Sequence, residues 1–191
     1  MYTGKEDIAR VEEKLGRPVV TEMHYEIGPW ECDVVVGSME DGRAHDVTMF
    51  IRKQDDPDSI AVIRKPFFPQ GAFRAPSGAA KPGEGLEGGA LREAKEETGL
   101  DVELTRYLAR INARFTCGEQ DVGWTTHVFE ARQTGGRLEP IDTDEIFEAR
   151  WATLGELQGS VRQVLLDSGW DLFRYRVALT DLTVELMEGG R

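Results

Sequence analysis

The stretch GAAKPGEGLEGGALREAKEETGL, residues 78–100, decides how the rest of this chain is read. It opens as a glycine-rich loop, passes Glu84, and becomes a short, highly charged helix. The helix is expected from about Glu87 to Gly99, a residue suited to the position just past a helix end. Residues three and four apart share a helix face, so Glu93, Glu96 and Glu97 project together. Like charges at that spacing destabilise an isolated helix. A divalent cation would neutralise them, and hard carboxylate oxygens suit Mg²⁺ or Mn²⁺, which also bind substrate phosphates. A solvated charged face is the plain alternative for the run EAKEE taken alone.

The upstream context decides between the two. Gly78, Glu84, Arg92, Glu93, Ala94, Glu96, Glu97, Gly99 and Leu100 resemble, at matching spacing, the signature of the Nudix hydrolases. That signature is a glycine, five residues, a glutamate, seven residues, then REUxEExGU with U apolar. Every fixed glycine and polar position matches, and Ala94 is smaller than the usual aliphatic residue. The motif is far more specific than a short glycine pattern.

Composition agrees with an ordinary globular chain. It has 191 residues, enough for one domain with a sizeable core. With 23 Lys and Arg against 35 Asp and Glu, the formal charge is −12, which argues against non-specific binding to nucleic acid or anionic membrane. No apolar run reaches the length of a membrane span, and the first residues lack a leader's apolar core. The two cysteines, Cys32 and Cys117, have no ligand-like spacing, so two reduced, packed thiols and a cytoplasmic setting are expected.

Along the chain, Ile8, Val11 and Leu15 recur at helical spacing. From Val19 to Ile51 the pattern changes to strands: Val34-Val35-Val36, the turn-rich Met39 to Gly42, and His45 to Ile51 read as a β-hairpin or small antiparallel sheet. Ile60 to Ile63 is a further strand. A Pro- and aromatic-rich loop, residues 64–77, carries the basic residues Arg64, Lys65 and Arg74. Strands are expected over Val102 to Cys117, Trp124 to Ala131 and Ile146 to Trp151. Helices are expected over Leu154 to Asp167 and Leu172 to Met187. The order suggests an α/β or α+β layered fold. The resemblance sharpens it to a mixed sheet between helices, with residues 1–55 as an N-terminal helix and hairpin extension and 56–191 as the catalytic domain in one unit.

The resemblance implies a hydrolase that cleaves the pyrophosphate of a nucleoside diphosphate linked to another moiety. It implies Glu93 and Glu97 as main metal ligands, Glu96 as a shared ligand or general base, and the Ser77 carbonyl as a further ligand. Glu84 and Arg92 would brace loop against helix. Arg64 and Arg74 are candidates to grip substrate phosphate. Glu145 is the candidate base outside the helix, with Glu148, Asp142 and Asp144 behind it. His127, within a strand, reads as a packed residue, and Phe67, Phe68, Phe73 and Trp124 as packing or base-stacking aromatics. The N-terminal hairpin is similar to that of the ADP-ribose pyrophosphatase branch, in which such an extension builds a homodimer. That branch often has E-x-P-A-G entering the signature, where this chain has Arg74-Ala75-Pro76-Ser77-Gly78. ADP-ribose or a nucleotide sugar is the favoured substrate type. Two other readings are a nucleotide-binding regulatory module that does not hydrolyse, and a diphosphate isomerase that would need an active-site cysteine such as Cys117.

Overall fold

A computed structural model describes residues 4–39 and 42–189. In chain order the elements are α1 (Lys5–Leu15), β1 (Val19–Glu26), α2 (Pro29–Gly37), β2 (His45–Arg52), β3 (Ser59–Arg64), β4 (Ser77–Gly78), α3 (Gly85–Thr98), β5 (Leu100–Cys117), β6 (Gln120–Gly136), β7 (Glu148–Thr153), α4 (Leu154–Gln158), α5 (Ser160–Asp167) and α6 (Asp171–Gly189). The strands form one mixed sheet in the order β1-β5-β6-β2-β3-β7, with the two-residue β4 pairing to β2. β1 runs parallel to β5 and β2 parallel to β6, while β5–β6, β2–β3, β2–β4 and β3–β7 are antiparallel.

Alternation along the strands divides the core. Val47, Met49 and Ile51 of β2 and Ala61 of β3 meet Val11 of α1 and Leu86, Ala90 and Ala94 of α3. The intervening Phe50, Ile60 and Val62 pack with Val35 of α2, Leu165 of α5 and Phe173, Leu179 and Val184 of α6. A period of two on the strands therefore sends successive residues to opposite helical layers. The expected sheet between helices is what forms. Among the described residues, no helix is long and apolar enough to cross a membrane.

The expected N-terminal hairpin does not form. Its valine run belongs to α2, which starts with Pro29 at the first helical position, where the missing N–H costs nothing. Only Val35 of the three valines is buried, while Val34 and Val36 are about half exposed. Glu31 of the same helix accepts the Gly28 N–H at 3.4 Å and the Leu172 N–H at 2.8 Å, tying α2 to the start of α6. The two strands of the N-terminal region pair elsewhere in the sheet, β1 with β5 and β2 with β6. The expected turn residues Glu40 and Asp41 lie outside the described residues.

Two smaller expectations also change. The single helix over 154–167 is broken at Gly159, whose φ of −105° and ψ of −103° are not helical. Cys32 and Cys117 are not separate thiols: their sulfur atoms are bonded at 1.95 Å. Their sequence separation of 85 leaves no local pattern to read. Folding α2 back over the end of β5 is what brings them together.

Candidate active site

Helix α3 is built to approach the sheet closely. A Cβ on Gly89 would stand 2.5 Å from Ala80 Cα and 2.7 Å from Ala80 Cβ, so only glycine lets the preceding loop lie against the helix. The pair Gly88-Gly89, costly by ~1 kcal/mol each relative to alanine, thus has a packing reason at its second member. Gly78 is closer still, since a Cβ there would overlap the Glu93 carboxylate at 2.0 Å. Gly99, at φ 76°, ends the helix in the left-handed conformation. A side chain there would collide with the Glu139 carbonyl oxygen at 2.2 Å.

Arg92 organises the carboxylates. Its Nε and Nη2 donate to the two oxygens of Glu84 at 2.8 and 3.1 Å. Its Nη1 donates to Glu93 Oε1 at 2.8 Å and Glu96 Oε2 at 2.7 Å, and Nη2 also reaches the Ala79 carbonyl at 2.6 Å. Burial opposes its charge, but these acceptors together hold the guanidinium above its ordinary pKa. The expected loop-to-helix brace is present, and it holds two of the three helix carboxylates as well. Glu84 accepts the Lys81 N–H at 2.9 Å, and Glu93 accepts the Ala79 N–H at 3.1 Å.

Glu97 is the buried member of the set, 4% exposed. It accepts the Ser77 N–H at 2.7 Å, and the nearest guanidinium nitrogen, on Arg74, is 3.8 Å away. Burial raises its pKa to about 7, with Arg74 the largest opposing influence. Arg74 is itself buried and donates to the Ser77 hydroxyl at 2.6 Å and the Ala75 carbonyl at 2.9 Å. Ser77 and Gly78 hold their place as β4, paired to β2.

Glu93, Glu96, Glu97, Arg92, Arg74 and Ser77 all border one cleft of about 720 Å³. Glu145 borders it too, with its carboxylate 2.7 Å from Lys65 Nζ. The loop carrying Glu145 docks on the signature helix: the N–H groups of Ile141 and Asp142 donate to the Glu96 carbonyl at 3.0 and 2.9 Å. Arg64 stands apart from the cleft lining, bonded to Glu148 at 3.2 Å and lying over the Phe147 ring at 4.4 Å. His127 is packed as expected, with its Nδ1 2.5 Å from the Tyr107 hydroxyl. Burial pushes its pKa down to about 3, so the ring is neutral.

Among the described residues, no three His, Cys, Asp or Glu side chains converge as a ready-made cation cage. The chemistry of the donors nonetheless fits a hard divalent ion. They are oxygen ligands, and the nearest cation to buried Glu97, Arg74, stands 3.8 Å away rather than in direct hydrogen-bond contact.

The structure adds residues that sequence reasoning did not single out. Asp46 of β2 is buried and accepts from Arg176 Nη2 at 2.9 Å, Trp124 Nε1 at 3.0 Å and the Thr126 hydroxyl. Burial alone would raise its pKa, but Arg176 and the hydrogen bonds hold it below the usual carboxylate value. Asp46, Arg176, Lys81 and Arg43 line the same cleft. Arg176 and Asp46 are 130 positions apart, and no spacing signal connects them.

The sequence profile of the NUDIX domain matches residues 42–169, two thirds of the chain. The chain belongs to the Nudix family. Among its relatives, NAD-capped RNA hydrolase NudC of Stutzerimonas stutzeri is 30% identical over 105 residues, covering 52% of this chain and 34% of that protein. NudC of Photobacterium profundum is 29% identical over 126 residues, covering 63% and 44%. The chain thus spans less than half the length of either relative. A crystal structure of a UDP-X diphosphatase superposes with a TM-score of 0.55 at 17% identity, over 84% of this chain and 72% of that one, which shows a shared fold. In this Nudix chain the signature loop and helix are β4, the glycine-rich turn and α3.

Proposed function

We propose that this Nudix protein is a divalent-metal-dependent hydrolase cleaving the pyrophosphate of a nucleoside diphosphate joined to another moiety. One observation carries the reading: three glutamates of one helix, two of them held by Arg92, border a single cleft that basic residues also line. Glu93, Glu97, Glu96 and the Ser77 carbonyl would hold Mg²⁺ or Mn²⁺. When bound, the ion would offset phosphate charge and lower the pKa of a coordinated water.

The chain's own residues do the rest. Arg92 holds the Glu93 and Glu96 oxygens in fixed directions, and Glu84 anchors Arg92 from the loop side. Lys65, Arg74, Lys81 and Arg176 supply positive charge to the cleft, which compensates the diphosphate in a chain that is acidic overall. Either Glu96 or Glu145 would take the proton from the attacking water; both line the cleft. ADP-ribose and nucleotide sugars remain the favoured substrate type. The names of the NudC relatives add the NAD cap of an RNA as a further candidate.

The test is product release from ADP-ribose, NAD, NAD-capped RNA, nucleotide sugars, dinucleoside polyphosphates and nucleoside triphosphates, with Mg²⁺, Mn²⁺ or chelator. Metal-dependent cleavage of one class is expected, and Glu93→Gln or Glu97→Gln should lower it by ~10²–10³-fold. Saturable binding without cleavage across the panel would overturn the hydrolase reading in favour of a regulatory module. Undiminished turnover in both variants would remove the metal assignment.

A further inference from the structure

Helix α3 begins without a cap of its own. The first N–H groups of a helix have no partner within it, and a side-chain oxygen just ahead of the helix commonly accepts one of them. Glu84 stands at that position and makes no such bond. Its carboxylate is committed to the Lys81 N–H and to Arg92 Nε and Nη2. Gly85, the next residue, has no side chain to offer. The acceptor comes instead from 79 positions upstream, where Asp7 of α1 takes the Leu86 N–H on its Oδ2 at 2.9 Å. A carboxylate there also meets the positive end of the helix dipole.

The surroundings are shaped to keep that carboxylate in place. Gly85 has a φ of 74°, and a Cβ on it would stand 2.7 Å from Asp7 Oδ1. Val11 of α1 is buried in one cluster with Leu86, Ala90 and Ala94, and Ile8 and Leu15 pack beside it. Lys14 pairs with Glu87 of α3, and Arg110 of β5 stands 3.7 Å from Glu12. Among the described residues, α1 contributes none to the lining of the cleft. Any effect of Asp7 on the cleft therefore passes through α3.

Glu84 lies between two glycines of positive φ, Gly83 at 82° and Gly85 at 74°, so its own backbone neighbours restrain it little. From Glu84 the contacts run to Arg92, and from Arg92 Nη1 to Glu93 and Glu96. The structure assigns Asp7 a positioning role in the active site. By capping α3 from outside, it leaves the Glu84 carboxylate to Arg92, and so keeps Arg92 aimed at two helix carboxylates. Without Asp7, Glu84 is the carboxylate placed to turn toward the bare first turn of the helix, and a bond made there is taken from Arg92. The effect on rate rests on the hydrolase reading; the link from Asp7 to Arg92 does not.

The experiment compares Asp7→Ala, Asp7→Asn and Val11→Ala in the full chain, below the melting range of each. One readout is the NMR exchange rate of the Arg92 Nε–H with water in metal-free protein, which needs no turnover. The other is steady-state kinetics on the compound that the wild type cleaves. Asp7→Ala should speed the Arg92 exchange roughly tenfold. It should lower kcat by about 10- to 100-fold, with KM within about twofold of wild type. Asp7→Asn keeps an oxygen acceptor for the Leu86 N–H, so both readouts should return to within about threefold of wild type. Val11→Ala loosens the packing of α1 but keeps the cap, so it should lower the melting temperature and move neither readout. Unchanged Arg92 exchange in Asp7→Ala, an unchanged kcat in an active protein, equal effects from Val11→Ala, or no recovery in Asp7→Asn would overturn the role. A protein that hydrolyses nothing, yet whose Arg92 loosens in Asp7→Ala alone, would fail only the hydrolase reading.

Discussion

Arg92 grips both oxygens of Glu84, through Nε at 2.8 Å and Nη2 at 3.1 Å, and spends its remaining Nη1 donors on Glu93 and Glu96. One planar fork therefore fixes a loop residue and two helix carboxylates at once. Lysine carries the same charge as a point and cannot reproduce that geometry. Arg92→Lys is expected to lower kcat by about 100-fold. Loss of the hydrogen bonds should cost about 1–3 kcal/mol of stability. Steady-state kinetics and urea denaturation check both numbers, and near-normal kcat in a folded variant would contradict the organising role.

Gly89 and Gly37 are both helical glycines, and alanine should act oppositely at the two. At Gly37 a Cβ meets nothing within 4 Å, so Gly37→Ala should be neutral or stabilising by up to ~1 kcal/mol. At Gly89 the new Cβ meets Ala80 backbone at 2.5 Å, and the loop must move. Gly89→Ala should therefore destabilise by about 1–3 kcal/mol, and activity should fall because Ser77 and Gly78 lie on the displaced segment. Paired thermal melts and assays compare them directly.

The pH dependence of the metal-free protein follows from Glu97. Its pKa, raised by burial from 4.5 to about 7, means that the folded state holds a proton the unfolded chain has already released between those values. Its contribution is thus complete below about pH 4.5 and is lost as pH rises through about 7. The loss amounts to about 3 kcal/mol at most. Thermal stability in chelator, measured at pH 5 to 8, should decline more steeply for the wild type than for Glu97→Gln. Protection by Mg²⁺ requires the ionised carboxylate, so it should strengthen over the same interval. Parallel profiles for the two proteins would refute the assignment.

Asp46 is the buried counter-charge for Arg176, and removing it leaves that guanidinium with Thr48 Oγ1 at 3.3 Å as a neutral partner. Asp46→Asn is expected to cost about 3–5 kcal/mol. Adding Arg176→Met to it should recover part of that loss. A double-mutant cycle in urea gives the coupling, and strict additivity would show that the pair does not act together.

Part of this protein could be read without a structure. The signature helix, its stop at Gly99 and the alignment of Glu93, Glu96 and Glu97 are short-range matters of helical period and turn chemistry, and the resemblance of the motif supplied the Glu84–Arg92 brace. The long strands β5 and β6 and the buried β3 were equally legible, since their residues alternate or run apolar within a few positions. A glycine inside a helix, such as Gly89, is legible as costly, but its reason is a backbone in another segment.

What the tertiary structure alone decided depends on neighbours that sequence distance hides. The valine run 34–36 has strand propensity, yet Pro29 and the contact of Glu31 with Leu172, 141 positions away, make it helical. The parallel pairings β1–β5 and β2–β6, the Cys32–Cys117 bond and the Asp46–Arg176 pair all join distant segments. Local chemistry sets where helices begin and end and which faces are apolar. Which surfaces then meet is settled by burying those faces together, and that selection is made over the whole chain.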